Sequence, residues 1–347
     1  MGTSLLILGK ADSPSRERNA LRMLSYALEA GIDAQWADYH ELDSIRDFRN
    51  DTAVVLFFFP YRFWNACCES PGEGELYGAS YRIPELLNGF FMAIGDEIRA
   101  RFKAHHLQFF IPPEIAAMDR DKSEVIRRLR ACGVPVSTTL EYGYMGDILE
   151  AVESGNGVII KCRYGSEGKG ITLLRRSCWL TNYRVDDGRL ANYGVYDLWK
   201  FTEITGRRDL LRQLLDSEVI VEEEIVPPSV YPGRKFDVRC YTVNCRSLHF
   251  CTRLGEPGGI VTNYSQGGTV IHDPKTGLPA DMRLSLLRTG EEASKALSLN
   301  LLGVDMIVED QTGMPKVIEV QVFADFPHIG WFDLARYLVE EGLGLTA

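Results

Sequence analysis

Apolar and polar positions change their period along this chain, and the changes divide it. In the first third, short apolar runs at 4–8, 34–38 and 53–59 alternate with amphipathic stretches at 14–30 and 84–102. The runs predict strands and the stretches predict helices, the first helix closing at Gly31. Strands separated by helices predict a small parallel α/β unit. Pro112-Pro113 marks its end, because neither proline continues a helix and each restricts the residue before it.

A different order follows. A basic amphipathic helix over 121–132 ends at Gly133, an extended piece runs through 134–139, and a short helix covers 147–154. The apolar run 158–161 reads as a strand carrying Lys161. Residues 171–174 read as its hairpin partner, with Gly165-Ser166-Glu167-Gly168-Lys169-Gly170 as the turn. Residues 210–216 read as helical. Strands then dominate at 219–223, 237–244 and 247–253. A helix over 283–301 precedes strands at 304–309 and 316–322, joined by a turn at 310–313. Strands running past one long helix predict an α+β unit.

Composition narrows the picture. The 347 residues suffice for two or three packed units. The net charge of −10 disfavours a general affinity for nucleic acid or anionic membrane. The longest apolar run, 53–60, is far short of the roughly 20 residues that span a bilayer. No basic segment precedes the first apolar run, so a signal peptide is not expected. The eight cysteines lack zinc spacing. Cys240, Cys245 and Cys251 read as buried reduced thiols, while adjacent Cys67 and Cys68 are candidates for reactivity. A reducing cytoplasm is the expected setting.

Chemistry concentrates in a few segments. Lys161 sits on an apolar strand, where a lysine needs an anionic partner such as a nucleotide phosphate. The loop 165–170 is rich in glycine, which lets backbone N–H groups approach phosphate oxygens, and Lys169 adds a point charge. It is not a Walker A loop, because Lys169 is followed by Gly170 instead of Ser or Thr. Glu222-Glu223-Glu224 ends a strand leading to Ile225. It is either a solvated strand end or a hinge offering backbone groups to adenine and a carboxylate to ribose. Asp237 and Arg239 share one strand face. They are a cross-strand ion pair or, with Arg253, groups around a transferring phosphoryl. The segment 262–268, which contains Asn263, adds polar groups.

Asp305, Glu319 and Gln321 form the metal candidate. Glu319 and Gln321 lie two apart on one strand face, and antiparallel pairing brings Asp305 alongside. Oxygen ligands of this kind suit magnesium. The plainer reading is a set of surface acids on an edge strand. The histidines show no paired metal spacing, and no serine or cysteine nucleophile motif is visible. After the third strand, Arg62 is a candidate for holding a substrate carboxylate between Tyr61 and Trp64, against the alternative of an aromatic loop packed on the core.

Taken in order, these segments resemble the ATP-grasp superfamily, most closely its RimK-type and glutathione-synthetase-like carboxylate–amine ligases. The resemblance runs over about 119–326. Lys122, in Asp121-Lys122-Ser123, looks like the family's first phosphate-binding lysine and Lys161 like its second. Gly165, Ser166, Gly168, Lys169 and Gly170 look like its mobile triphosphate loop. Glu222, Glu223, Glu224 and Ile225 look like its adenine hinge. Asp237-Val238-Arg239 and the segment with Asn263 resemble its D-x-R and N…GG segments, and Asp305 and Glu319 occupy its acidic metal positions. Where the family usually ends in Glu-x-Asn, this chain has Glu319-Val320-Gln321, which moves the amide oxygen by one methylene.

The resemblance implies α/β plus α+β architecture. An N-terminal parallel α/β domain (1–111) would precede a central lid (112–216) and a C-terminal antiparallel catalytic subdomain (217–347). It implies ATP and Mg2+ as cofactors. It also implies an acyl-phosphate ligase joining a carboxylate to an amine, with ADP and phosphate released. Lys161, Arg239 and Arg253 would serve the transfer. An amino acid or short peptide is the implied partner, without nucleic acid or membrane, and with homodimer formation left open. The alternatives are a kinase of the same fold acting on a small polyol phosphate, and an ATP-binding protein without turnover, which Gln321 suggests.

Overall fold

The computed structural model describes residues 2–9, 14–194 and 196–345. Three sheets follow one another along the chain. The first is parallel, in the order β2-β1-β3-β4, from β1 (Thr3–Leu8), β2 (Ala34–Ala37), β3 (Thr52–Phe57) and β4 (His106–Phe109). Its helices are α1 (Pro14–Glu29), α2 (Tyr61–Cys67) and α3 (Arg82–Arg101). Apart from its first residue β1 is fully buried, which is why its sequence is apolar without alternation.

Helices α4 (Pro113–Ala116) and α5 (Lys122–Ala131) lead onward. Pro113 opens α4, where its missing N–H has no intrahelical use, and the Asp121 carboxylate caps α5 by accepting from the Glu124 N–H at 3.1 Å. After α6 (Met145–Glu153) come β5 (Val158–Cys162), β6 (Ile171–Arg175), β7 (Cys178–Thr181), a small hairpin of β8 (Arg184–Asp186) and β9 (Arg189–Ala191), then β10 (Thr202–Glu203), α7 (Arg208–Leu215) and β11 (Val219–Glu223). The second sheet is antiparallel in the order β10-β7-β6-β5-β11.

The third sheet is antiparallel in the order β14-β13-β12-β15-β16. It contains β12 (Phe236–Val243), β13 (Arg246–Leu254), β14 (Thr269–His272), β15 (Leu301–Val308) and β16 (Pro315–Gln321), with α8 (Ala280–Leu297) against it. Central β12 is buried at all eight positions. A last helical segment, α9 (Leu334–Tyr337), packs near α1.

Two differences from the sequence reading have clear causes. Helix α8 stops at Leu297, four residues before the expected end. Ser298 takes the left-handed conformation that terminates helices, and Leu301 already begins a strand. Residues 61–67, whose first part the sequence leaves open between a carboxylate-holding segment and an aromatic loop packed on the core, form α2. Its short length and aromatic content hid the helical period.

The first and third sheets share one apolar core. Leu6, Phe57 and Phe91 belong to the same buried cluster as Val238, Val304 and Val320. Phe91 stacks on Phe323 at 5.2 Å and 11°. The second sheet has its own cluster, around Ile160, Leu174 and Leu211. Leu76 and Tyr77, from the N-terminal third, are part of that cluster. Among the described residues no helix is long and apolar enough to cross a membrane.

Candidate functional site

A cleft of about 980 Å³ lies between the second and third sheets. Its apolar walls come from Ile159, Ile171, Ile225, Phe236, Ile307 and Ile318. Lys122, Lys161 and Lys169 line it together with Lys235, although they are far apart in sequence. Lys122 stands at the start of α5, Lys161 on β5 and Lys169 in the glycine turn between β5 and β6.

Each lysine is held by a carboxylate. Lys122 Nζ lies 3.2 Å from Glu319 Oε1 and also donates to the Gly165 carbonyl. Lys161 Nζ lies 2.5 Å from Glu222 Oε2. Lys169 Nζ donates to Glu69 Oε1 at 2.8 Å and lies 3.1 Å from Glu167 Oε2. Burial lowers the Lys169 pKa, but Glu69 and Glu167 outweigh it, so the ammonium stays protonated. Lys235 is paired with Glu224, and four lysines facing one cleft repel unless counter-charges are present. The acids supply them here, and a polyphosphate is the ligand chemistry that would replace them.

The hinge acids divide by role. Glu222 is buried and bonded to Lys161 and the Ser137 hydroxyl. Glu224 is also held: burial raises its pKa, but Arg175 and Lys235 bring it below the ordinary carboxylate range. Glu223 lines the cleft and carries no side-chain hydrogen bond among the described residues, so it alone of the three is open to a ribose. Ile225 follows as an apolar wall.

The glycine turn is packed from both sides. A Cβ on Gly168 would fall 2.6 Å from Asn263 Oδ1, and one on Gly78 would fall 2.6 Å from the Gly165 backbone. Ser265 Oγ donates to the Glu167 carbonyl at 3.2 Å, and the Ser166 N–H donates to Tyr77 Oη at 3.3 Å. Gly165, Ser166, Gly168 and Lys169 line the cleft. Gly170 does not; it turns the chain beside Cys162 and Tyr183.

A larger cavity, about 2580 Å³, opens beside the cleft. Ser166, Lys169, Arg253, Asn263 and Glu319 line both. A phosphoryl group at the end of a nucleotide in the cleft would therefore face the second cavity at these residues. Around them runs a chain of buried ion pairs. Arg253 donates to Asp237 at 2.7 and 2.6 Å, and Thr262 Oγ1 donates to the same carboxylate at 2.6 Å. Arg239 donates to Asp305 at 2.8 and 2.8 Å, and Arg253 Nη2 lies 2.9 Å from Asp305 Oδ2. Burial alone would raise the Asp305 pKa; Arg239 and Arg253 bring it down. Asp237 and Arg253 are direct cross-strand partners, so the ion-pair reading of this segment describes the geometry.

The three metal candidates are placed differently. Asp305 and Glu319 are cross-strand partners, as antiparallel pairing requires. Their side chains nevertheless part company. The register slips by one residue beside Asp305, leaving Ile318 without a partner. Lys161 Nζ reaches the Ile318 carbonyl at 3.5 Å. Glu319 and Gln321 line the large cavity, whereas Asp305 lines neither cavity and gives both oxygens to arginines. Among the described residues no cluster of three Asp, Glu, His or Cys side chains is arranged to hold a metal. Glu319 and Gln321, with phosphate oxygens and water, fit magnesium's oxygen preference; Asp305 does not fit as a direct ligand in this arrangement.

Sequence reading missed Glu69, Tyr77, Asp119 and Arg120. Glu69 carried no signal, since Lys169 is 100 residues away. Arg120 adjoins the helix-start motif of Lys122, but nothing in the pattern marks its burial. Arg62 is exposed and lines neither cavity; Tyr61 and Trp64 do line the larger one. Of the adjacent cysteines, Cys68 is buried with its thiol pushed up to about 12, first by burial, which makes it a poor nucleophile. All eight cysteines are free.

No protein-family model matches the chain, and no curated protein matches it. Solved structures do. D-cycloserine synthetase DcsG is 18% identical, with 98% of this chain and 99% of that one aligned at a TM-score of 0.57. ATP-grasp ligase PsnB, complexed with its minimal precursor, is 13% identical over 99% of this chain and 100% of its own, at 0.59. D-alanine–D-alanine ligase from Bacillus anthracis is 14% identical over 99% and 96%, at 0.51. The chain has the ATP-grasp fold, a mixed α/β architecture with one parallel and two large antiparallel sheets beside the small β8–β9 hairpin.

Proposed function

We propose that this protein is an ATP-dependent carboxylate–amine ligase that works through an acyl phosphate. The observation that carries the reading is the junction of the two cavities. A cleft with four lysines and an open hinge carboxylate meets a second, larger cavity at Ser166, Lys169, Arg253, Asn263 and Glu319. The likeness to ATP-grasp ligases supports it. Adenine would lie between Ile159 and Phe236 with its ribose at Glu223. Lys122, Lys161 and the turn 165–169 would take the phosphates. Glu319 and Gln321 would hold Mg2+, which would neutralise phosphate charge when bound. Arg253 and Arg239 would face the carboxylate that accepts the phosphoryl group and stabilise the charge on it. The amine would then displace phosphate in the larger cavity, where the turn and the 262–268 segment exclude water.

The 1–111, 112–216 and 217–347 division would make the second unit the lid over the phosphates. The acid and amine are proposed to be an amino acid or short peptide, the soluble cytoplasm the setting, and a homodimer compatible with this site. The test is ATP turnover with magnesium against pooled amino acids and short peptides, reading free phosphate and new masses together. Phosphate release with an amide-linked mass is expected; a stable phosphorylated product without free phosphate would replace the ligase by a kinase. One observation favours a second reading, ATP binding without turnover: Asp305 is engaged by two arginines and Gln321 stands where the family has Asn. Nucleotide binding with no phosphate released and no new mass would select it.

A further inference from the structure

Three buried guanidinium groups line the larger cavity: Arg120, Arg239 and Arg253. Two are saturated. Arg239 forks onto Asp305 and Arg253 onto Asp237. Arg120 is different. It is only 9% exposed, yet its Nε is buried without a hydrogen-bond partner among the described residues. Its nearest acid, Asp119, lies 3.5 Å from that nitrogen and gives its other oxygen to the Phe323 N–H at 3.0 Å. The guanidinium is instead held flat by aromatic faces, 4.3 Å over Phe59 and 4.6 Å over Trp64.

A buried guanidinium that lacks hydrogen bonds is destabilising unless a ligand supplies them. The stacking fixes the plane of the group; its buried Nε faces Asp119, so the edge available to the cavity is that of the terminal nitrogens. A planar, singly charged, two-oxygen acceptor is the complement of that edge. Glu69, Asp119 and Glu319 also line this cavity and disfavour a more highly charged phosphate there.

We propose that Arg120 is the receptor for a carboxylate of the substrate, taken by its terminal guanidinium nitrogens, with the group oriented by Phe59 and Trp64. This rests on the reading of the larger cavity as the acid and amine site. It makes Arg120 a specificity-determining residue that selects acids over their amides, and it is separate from the phosphate-handling lysines.

The experiment is a thermal-shift titration of the full chain with ADP and magnesium present. The probes are the proteinogenic amino acids, glutarate, succinate, short peptides, the C-terminal amides of these amino acids and peptides, and inorganic phosphate. At least one acid is expected to stabilise the wild type while its amide does not. Arg120→Met should weaken that acid at least tenfold and Arg120→Lys, which keeps the charge but not the fork, by an intermediate factor. The ADP–magnesium shift should stay within twofold in both, which also shows that they fold; if Arg120→Met does not fold, Arg120→Lys carries the test. The proposal is overturned if no acid stabilises the wild type. Equal stabilisation by the amides or by phosphate, or undiminished stabilisation of the folded variants, overturns it as well. Absence of any ADP–magnesium shift in the wild type would instead sink the nucleotide reading, and the acid titration is then read without nucleotide.

Discussion

The cleft between the second and third sheets takes its polar groups from strand positions, the start of α5 and loops that include the glycine turn, and its lysines already face opposite charges. The larger cavity beside it takes its groups from strands of the third sheet together with helices and loops, many from the N-terminal third. Four lysines and their carboxylates make the cleft close to neutral, and under the proposed function a polyphosphate would replace the internal acids. The larger cavity keeps one buried guanidinium with a nitrogen left without a hydrogen-bond partner among the described residues. The difference teaches that one site is assembled largely from groups that local sequence features mark, and the other is set by side chains that meet only in the finished structure.

The strongest test of that division attacks the chain of ion pairs beside the junction. Asp305→Ala leaves Arg239 and Arg253 buried around a missing charge, and removing one partner of such a pair typically costs about 3–5 kcal/mol. Denaturant unfolding should show a loss of that size. A loss below ~1 kcal/mol would mean that water or another acid replaces Asp305. Next, Lys161→Met should weaken fluorescent-ADP binding about tenfold, equivalent to ~1.4 kcal/mol, and leave any carboxylate-induced shift in place. Loss of both together would break the separation of the two cavities.

A smaller effect is expected at Glu69. The variant Glu69→Gln keeps the shape beside Trp64 and Tyr77 but no longer competes with phosphate for Lys169. Nucleotide affinity should rise about threefold, ~0.65 kcal/mol. A fall would show that Glu69 positions Lys169 instead of withholding it. The larger cavity is also the one with imidazoles in its wall. His272 lines it, and His249 stacks behind at 5.4 Å. Burial, then His272, lowers His249 to about 4. Between its ordinary value near 6.5 and 4, the unfolded chain therefore binds a proton that the native chain does not. This contribution to stability is complete above that range and is lost as pH falls through it. His249→Gln should flatten the fall of Tm over this range, and an unchanged slope would remove His249 from the account. Smallest of all, Arg62→Ala should alter stability by less than ~0.5 kcal/mol and affect neither ligand.

Much of the cleft was legible because its residues sit at fixed offsets from strands. Lys161 on an apolar run, the glycines after it and the acid triplet at a strand end each carry a local physical oddity that a period analysis exposes. The strand pairing of Asp305 with Glu319 was legible for the same reason. The diversion of the Asp305 side chain to Arg239 was not, because a one-residue slip at Ile318 leaves no mark in hydrophobic pattern. Arg120 and Glu69 were illegible for another reason. Their roles depend on contacts with Phe59, Trp64 and Lys169 that no spacing rule connects. Arg62 drew attention through its aromatic neighbours, yet the helical turn of α2 points it to solvent and Tyr61 and Trp64 inward.

The segment around Tyr77 bears on how the molecule is made. Tyr77 donates its N–H to Asn192 Oδ1 at 2.8 Å, its carbonyl accepts from Tyr183 Oη at 3.0 Å, and the Gly78 carbonyl accepts from the Tyr164 N–H at 2.9 Å. Its ring closes the apolar cluster under the second sheet. A chain leaves the ribosome from its N-terminus and its units generally fold as they emerge. Here the first sheet is complete while this strap still has nothing to bury against. The second sheet, made later, threads its core onto a piece synthesised before it. Order of synthesis and order of assembly are therefore uncoupled, and the middle unit inherits its last wall from its predecessor.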